Sequence, residues 1–373
     1  MKSVIIFIGA FVPGFKAGGP VRSILNLVTS FGNVFDFYIV TDNKDLGEKK
    51  PYSNIIQNTW LKKETYNIYY TDLSYITAKQ IINLCENKDT IYCCGCYNKY
   101  ARLLIKLNKN DNRFKNRTYV APMGNFSQGA LKIKSLKKKI FIKINKLLNS
   151  YKNVKWAVTS KLEENDVKRI VGNQAKCIIA QDLPRPPVNI NLTGKHNPLK
   201  VIFLSRISPV KNLDFCINVL NSFNKDIILD IYGNIEDENY WQLCKKQLSA
   251  AANIAWSFNG CVDSNDVCQT FSMYDVFFLP TQGENYCHAI YESLSSGCIP
   301  LISDKTPWQD LDSANCGYVV KDFDVADYVA KLDYLNSLTK DKFIEMKSNA
   351  VAYAKKHYAE NIKNSGFIKI FNG

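Results

Sequence analysis

Short apolar runs alternate with amphipathic segments along this chain in two series, and one aperiodic break separates them. In the first series VIIFIGAF, FDFYIVT, TIYCCG, RTYVAP and KWAVTS read as strands, with VRSILNLVTSF and YARLLIKLN as helices. In the second, KVIFLSRI, DIILDIYG, IAWSFNG, YDVFFLP and CIPLIS read as strands. Helices are expected between them at 212–223, around 240–250 and after Glu284. Strands alternating with helices argue for parallel, doubly wound sheets, because each parallel connection needs a crossover. The break, QDLPRPPVNINLTGKHNP at 181–198, is rich in Pro and Asn and reads as a linker. The expected fold is α/β, with a Rossmann-like domain at 1–185, a linker at 186–198 and a second Rossmann-like domain at 199–354. A last helix is expected at roughly 340–357, and the tail from about 355 to 373 could cross back to the first domain. Two such domains would bind a ligand in the cleft between their strand C-terminal edges.

A chain of 373 residues is long enough for two full cores. Its 46% hydrophobic and 22% charged content fits a globular protein, and no apolar run approaches the ~18 residues of a membrane-spanning helix. The start, MKSVIIFIGAFV, has the Lys and apolar run of a signal peptide. The PGFKAGGP that follows punctuates a strand and opens a helix instead, so a buried first strand is expected. Twelve cysteines do not form a disulfide pattern. Cys177, Cys216, Cys268 and Cys298 lie in apolar segments, as small buried hydrophobes do. Cys93, Cys94 and Cys96 lack the CxxC spacing of a zinc site, and no second pair answers them. A reduced, cytoplasmic protein without structural zinc is the expectation.

The net charge of +14 is unevenly placed: residues 1–195 carry +19 and the rest −5. The first half is therefore expected to face an anionic partner. Its densest basic stretch is LKIKSLKKKIFIKINKLL, residues 131–148. Ile133, Leu136, Ile140, Ile144, Leu147 and Leu148 recur there at helical spacing, while Lys132, Lys134, Lys138, Lys139, Lys143 and Lys146 largely lie elsewhere around the helix. Such a helix either rests on an anionic membrane surface or packs its apolar face on the sheet. The charge of the whole half favours the membrane. Nucleic acid is not expected, since no reader motif or aromatic-basic platform is present.

Two short constellations in the second half carry chemistry. Strand KVIFLSRI ends at Arg206, and Lys211 follows five residues on, at the opening of the next helix. Two cations at a strand end beside a helix N-terminus suit a pyrophosphate. Further on, GENYCHAIYESLSSGCIP places Glu284 and Glu292 on either side of a helix start expected near Tyr286. Eight helical residues rise about 12 Å, comparable with the span from the sugar to the ribose of a nucleotide sugar. The N–H groups of Cys287, His288 and Ala289 would be donors for phosphate oxygens. The alternative is plain: Glu284 favours the helix dipole and Glu292 is a solvated position.

SRISPVKNLD followed about seventy residues later by LPTQGENYCHAIYESLSSGCIPLIS resembles the donor-binding half of glycosyltransferase family 4, retaining enzymes of the two-domain GT-B type. The resemblance implies that Arg206 and Lys211 neutralise the donor diphosphate without a metal ion. It implies that Glu284 holds hydroxyls of the donor sugar and Glu292 the ribose. Donor contacts would extend to Asn285, Tyr286, Cys287, His288 and Ala289, and Gly233 and Val262 would line the base pocket. For His288, donor contact and mere packing both remain open. Asp310/Asp312 and Asp322/Asp324 have the DxD spacing of metal-dependent transferases, but neither pair ends an apolar strand.

In the first half, FVPGFKAGGPVRSILNLV resembles the family's opening loop, with Gly18 and Gly19 letting backbone approach donor or acceptor. The segment APMGNFSQGALKIKSLKKK places Met123 and Asn125 where relatives carry an Arg and often an acidic residue. The three histidines are His196, His288 and His357, so the first-domain His of many relatives has no counterpart and the acceptor-activating residue is unassigned. The resulting expectation is a retaining, metal-independent hexosyltransferase at the inner face of the membrane. Its co-substrate would be a nucleotide sugar, UDP favoured over GDP. Its acceptor would be lipid-linked or a surface glycan, as in O-antigen or capsule synthesis. A non-catalytic nucleotide-sugar-binding subunit, or a GT-B nucleotide-sugar epimerase, is the alternative.

Overall fold

The computed structural model describes residues 1–14, 16–127, 135–263, 265–284 and 286–373. The chain divides into two compact units: Met1–Leu183 with Asn361–Gly373, and Pro184–Glu360. In the first, β1 (Lys2–Ile8) runs in the centre of an eight-stranded sheet. It lies between β2 (Phe35–Asp42) and β5 (Thr90–Cys94), parallel to both. Beyond β2 lie β4 (Tyr66–Thr71) and an antiparallel edge strand, β3 (Trp60–Lys62). Beyond β5 lie β6 (Thr118–Ala121), β7 (Lys155–Val158) and β8 (Lys176–Ile179), all parallel.

Alternate residues of β1 serve opposite faces, as the period of a strand requires. Val4, Ile6 and Ile8 enter a core with α1 (Gly19–Phe31), whereas Ile5 and Phe7 enter one shared by α2 (Ala78–Leu84) and α3 (Lys99–Asn110). Burial on both faces is why the strand reads as an unbroken apolar run.

Residues 131–134 of the basic stretch, and with them Lys132, Ile133 and Lys134, lie outside the described residues, as do the side chains of Leu136 and Lys139. The remainder forms α4 (Ser135–Leu147). The helix buries Ile142, and its Phe141 ring meets Tyr97 at 5.5 Å. Ile140, Ile144, Leu147 and Leu148 are instead 49–75% exposed. Among the described residues, the stripe that the periodicity picks out is therefore not the face packed on the unit. Helix α5 (Lys161–Val171) completes this part of the chain.

The second unit is a six-stranded, wholly parallel sheet in the order β11-β10-β9-β12-β13-β14. Its strands are β9 (Leu199–Leu204), β10 (Ile227–Tyr232), β11 (Ile254–Phe258), β12 (Val276–Leu279), β13 (Ile299–Ser303) and β14 (Tyr318–Val320). The helices between them are α6 (Leu213–Ser222), α7 (Glu238–Ala250), α8 (Val267–Ser272) and α9 (His288–Ser295), followed by α10 (Val325–Ser337) and the long α11 (Lys340–Lys363). Helix α12 (Gly366–Asn372) returns to the first unit. Its Phe371 packs edge-on against Phe35 and Phe37, and its Phe367 meets Tyr92. Among the described residues no helix is long and apolar enough to cross a membrane.

Candidate active site

Strand β9 ends at Leu204, and the chain passes through Arg206 into a 3-10 turn at Pro209–Lys211. Asn212 then takes a left-handed conformation (φ 63°) and caps α6. Next to β9 in the sheet, β12 delivers the loop that carries Glu284. Backbone bonds fasten that loop: the Gln282 N–H donates to the Val210 carbonyl (2.8 Å) and the Glu284 N–H to the Lys305 carbonyl (3.0 Å). The Glu284 carboxylate thereby meets the ammonium of Lys211 in an ion pair, each side chain only 11–12% exposed. Glu292, on the second turn of α9, is 4% exposed. Neither carboxylate is a solvated surface group.

Helix α9 begins at His288, two residues later than the sequence predicts, because Cys287 adopts a left-handed conformation (φ 64°) that no helix continues. The expected donor amides are thus those of the N-cap and first turn, which have no intrahelical acceptor. Burial, with Glu284 nearby, pushes the Cys287 thiol well above its ordinary pKa, so it is neutral at physiological pH and no nucleophile. His288 is half-buried with its ring 4.9 Å from that of Tyr286. Ala289 is half-buried on the same turn, and Asn285 lies outside the described residues.

Arg206 is exposed and bonded to Glu236 (2.6 Å), a partner that spacing gave no reason to expect. Gly233, just past β10, has φ +144°, and a Cβ there would stand 1.7 Å from the Ser205 carbonyl oxygen. Its glycine is required by the close approach of the β9 and β10 ends, beside Arg206. Val262 is half-buried against the core of this unit. The carboxyl ends of β9, β10 and β12 thus assemble Arg206, Lys211, Gly233, Glu284, Tyr286–Ala289 and Glu292.

The remaining predicted residues belong to the first unit. Gly18 caps α1 with φ +63°, and Gly19 and Pro20 open the helix. A Cβ on either glycine would meet open space, so the backbone is approachable there. Met123 sits in the turn after β6 with φ +52°. Asn125 accepts the Cys96 N–H (3.1 Å), tying that turn to the end of β5, and the Gly124 N–H donates to the buried Glu163 carboxylate (2.7 Å).

Three of the four DxD carboxylates bond to neighbouring protein groups, and the Asp322 side chain is exposed. Asp310 accepts the Tyr353 hydroxyl (2.6 Å), Asp312 the Val319 N–H (2.7 Å), and Asp324 caps α10. Cys93, Cys94 and Cys96 are buried, and burial raises their thiol pKa values. Among the described residues no group of three or more His, Cys, Asp and Glu could hold a metal ion.

Residues 190–357 match the family model described as glycosyl transferases group 1, which spans nearly all of the second unit. No curated protein matches the chain. Among solved structures, the sucrose-phosphate synthase of Thermosynechococcus elongatus is similar over 99% of this chain and 98% of its own, with a TM-score of 0.70 and 11% identity. WaaG, a glycosyltransferase involved in lipopolysaccharide biosynthesis, is similar over 98% and 99% (TM-score 0.62, 12% identity). Anabaena HepE, solved in complex with UDP and glucose, is similar over 97% and 100% (TM-score 0.66, 12% identity). The likeness is one of fold: two parallel-sheet domains of the GT-B glycosyltransferase type.

Proposed function

We propose that the protein is a retaining, metal-independent glycosyltransferase that moves a hexose from a nucleotide-diphosphate sugar, UDP-linked in preference to GDP-linked, to a lipid-linked or surface-glycan acceptor. The reading is carried by one observation: a nearly buried Lys211–Glu284 pair and a buried Glu292 at the strand ends of the segment that matches the glycosyltransferase model. Burying charged groups is costly unless they have work or partners there. In the reaction, the bond from the sugar C1 to the diphosphate breaks and an acceptor oxygen bonds to C1 from the same face. The acceptor proton leaves with the phosphate. Lys211, Arg206 and the first-turn amides of α9 stabilise the charge that grows on the diphosphate, in place of a metal ion. Glu284 accepts hydrogen bonds from sugar hydroxyls and Glu292 from the ribose.

The acceptor class draws support from charge and from α4. Ile140, Ile144, Leu147 and Leu148 stand out from the unit among Lys143 and Lys146, in a half of the chain that carries +19. Apolar side chains inserting between acyl chains, with lysines at headgroup level, fit the anionic cytoplasmic leaflet. Flotation with vesicles of phosphatidylcholine and phosphatidylglycerol tests this. The wild type is expected to float, and a variant combining Ile144→Asp with Leu147→Asp to bind about tenfold or more weakly. Its hydrolysis of soluble donor should be unchanged, and equal flotation would remove the membrane from the account.

A second reading, a non-catalytic nucleotide-sugar-binding subunit, is favoured by the absence of a histidine between residues 1 and 195. Incubation with UDP-glucose, UDP-galactose and GDP-mannose separates the two. Slow release of nucleoside diphosphate and free hexose, the α anomer appearing first by NMR, is expected of a retaining transferase. Tight nucleotide binding with no turnover would support the subunit, and an epimerised sugar would mark an epimerase.

A further inference from the structure

Four aromatic side chains close around His357, which lies on α11 close to where the chain passes from the second unit to the first. Its Nε2 is 3.1 Å from the Tyr286 hydroxyl. Its ring packs on Trp308 at 4.6 Å, with Tyr286, Tyr291 and Tyr353 about 6 Å away. Trp308 in turn donates its indole N–H to the Tyr286 carbonyl (2.5 Å). Tyr286 is 2% exposed, so both its hydroxyl and its carbonyl are held inside the protein. Two of these contacts bear on the candidate site. Tyr286 is two residues from Glu284, and Tyr291 is next to Glu292. One imidazole therefore touches both the loop that carries the first carboxylate and the helix that carries the second.

We infer that His357 is a positioning residue for the donor site: through Tyr286 and Tyr291 it fixes the spacing of Glu284 and Glu292. The inference rests on the donor reading of those carboxylates. A site that must place two groups within a fraction of an ångström needs such support, because loops position side chains less sharply than packed helices do.

The groups that face the imidazole set its charge. Asp310, which accepts the Tyr353 hydroxyl, and Glu360, on the same helix, both favour protonation. Burial outweighs them and lowers the His357 pKa below the ordinary histidine value. Burial raises the hydroxyl pKa values of Tyr291 and Tyr353, so these neighbours stay neutral. The imidazole is therefore neutral at physiological pH. Its contribution to stability is fully present above the unfolded-state pKa of about 6.5 and is lost as pH falls through the lower folded-state value. Loop support should weaken in that acid window.

Hydrogen exchange of the full-length chain, followed in peptides covering 281–290, tests the inference without any ligand. His357→Ala and Tyr286→Phe should each exchange about tenfold faster there, the effect of losing one buried hydrogen bond in a local opening. Peptides from β9 and β12 should be unchanged. His357→Gln, whose amide reaches the same hydroxyl, should restore most of the protection and should lack the acid-side loosening of the wild type. Binding of UDP and GDP, the probes used, should weaken about fivefold to tenfold in His357→Ala and recover in His357→Gln. Unchanged loop exchange in both His357→Ala and Tyr286→Phe would overturn the inference, as would a loss spread equally over the whole unit. Should His357→Ala fail to fold, Tyr286→Phe supplies the same reading. A loosened loop in a protein whose wild type binds neither UDP nor GDP would sink the donor reading and leave the clasp standing.

Discussion

Replacing Lys211 by alanine is expected to lower nucleotide-sugar turnover about a thousandfold, read as release of nucleoside diphosphate under saturating donor. Two effects act together. The leaving diphosphate loses a cation held in a low-dielectric site, and one such electrostatic contact contributes roughly 100- to 1,000-fold. The Glu284 carboxylate, only 12% exposed, also loses its counter-charge. Removing one member of a fully buried pair costs about 3–5 kcal/mol. This pair keeps some contact with solvent, so a loss of about 1–3 kcal/mol in urea unfolding is expected. Lys211→Arg keeps the charge but brings a planar fork where a compact ammonium sits, and should recover stability better than turnover. Arg206 provides the contrast. Its bond to Glu236 lies in solvent, so Arg206→Ala should change stability by no more than about 0.5 kcal/mol while still weakening diphosphate binding.

The second large effect is on folding. Gly233→Ala would place a methyl carbon 1.7 Å from the Ser205 carbonyl oxygen, in a backbone conformation that side chains rarely adopt. The surrounding chain cannot step aside easily. The Ser205 N–H is held by the Tyr232 carbonyl (3.0 Å), the Ile207 N–H by the Asn234 carbonyl (2.8 Å) and the Gly233 N–H by the Gly260 carbonyl (2.7 Å). Strain and overpacking together should cost about 3 kcal/mol or more. A unit of this size should then lose about 6–12 °C in its calorimetric transition. Gly260→Ala is the control. A Cβ there meets open space, so only the left-handed backbone (φ +67°) opposes it, at about 1–2 kcal/mol. Equal shifts for the two variants would contradict the close-approach argument.

The parallel strands were legible because burial on both faces writes them as unbroken apolar runs: VIIF, VIFL and VFFL all fall within observed strands. The edge pair β3 and β4 was not, since WLK and YNIYYT mix polar and aromatic residues without either period. On α4 the helical period was readable but its facing was not. The same stripe suits a packed helix or an exposed one, and only tertiary structure turns Ile142 inward and Ile144 outward. For Glu284 and Glu292, spacing alone left a solvated helix start as open as a ligand clamp. Burial separates the two. Lys211 meets Glu284 across 73 positions and Tyr286 meets His357 across 71, distances over which no local pattern carries information. Cys287 displaced the helix start because a left-handed non-glycine residue has no sequence signature.

If the proposed function holds, the strand ends of the second unit bind a nucleotide sugar between Lys211, Glu284 and Glu292. Calorimetric titration of UDP-glucose and GDP-mannose into the full-length chain, its Lys211→Ala variant and its Glu292→Ala variant tests it most directly. One saturable site per chain is expected, tighter for the UDP sugar, and weakened about tenfold or more by either substitution, as when charge-assisted hydrogen bonds are lost. No binding of either sugar to the wild type, or binding undiminished in both variants, would contradict it.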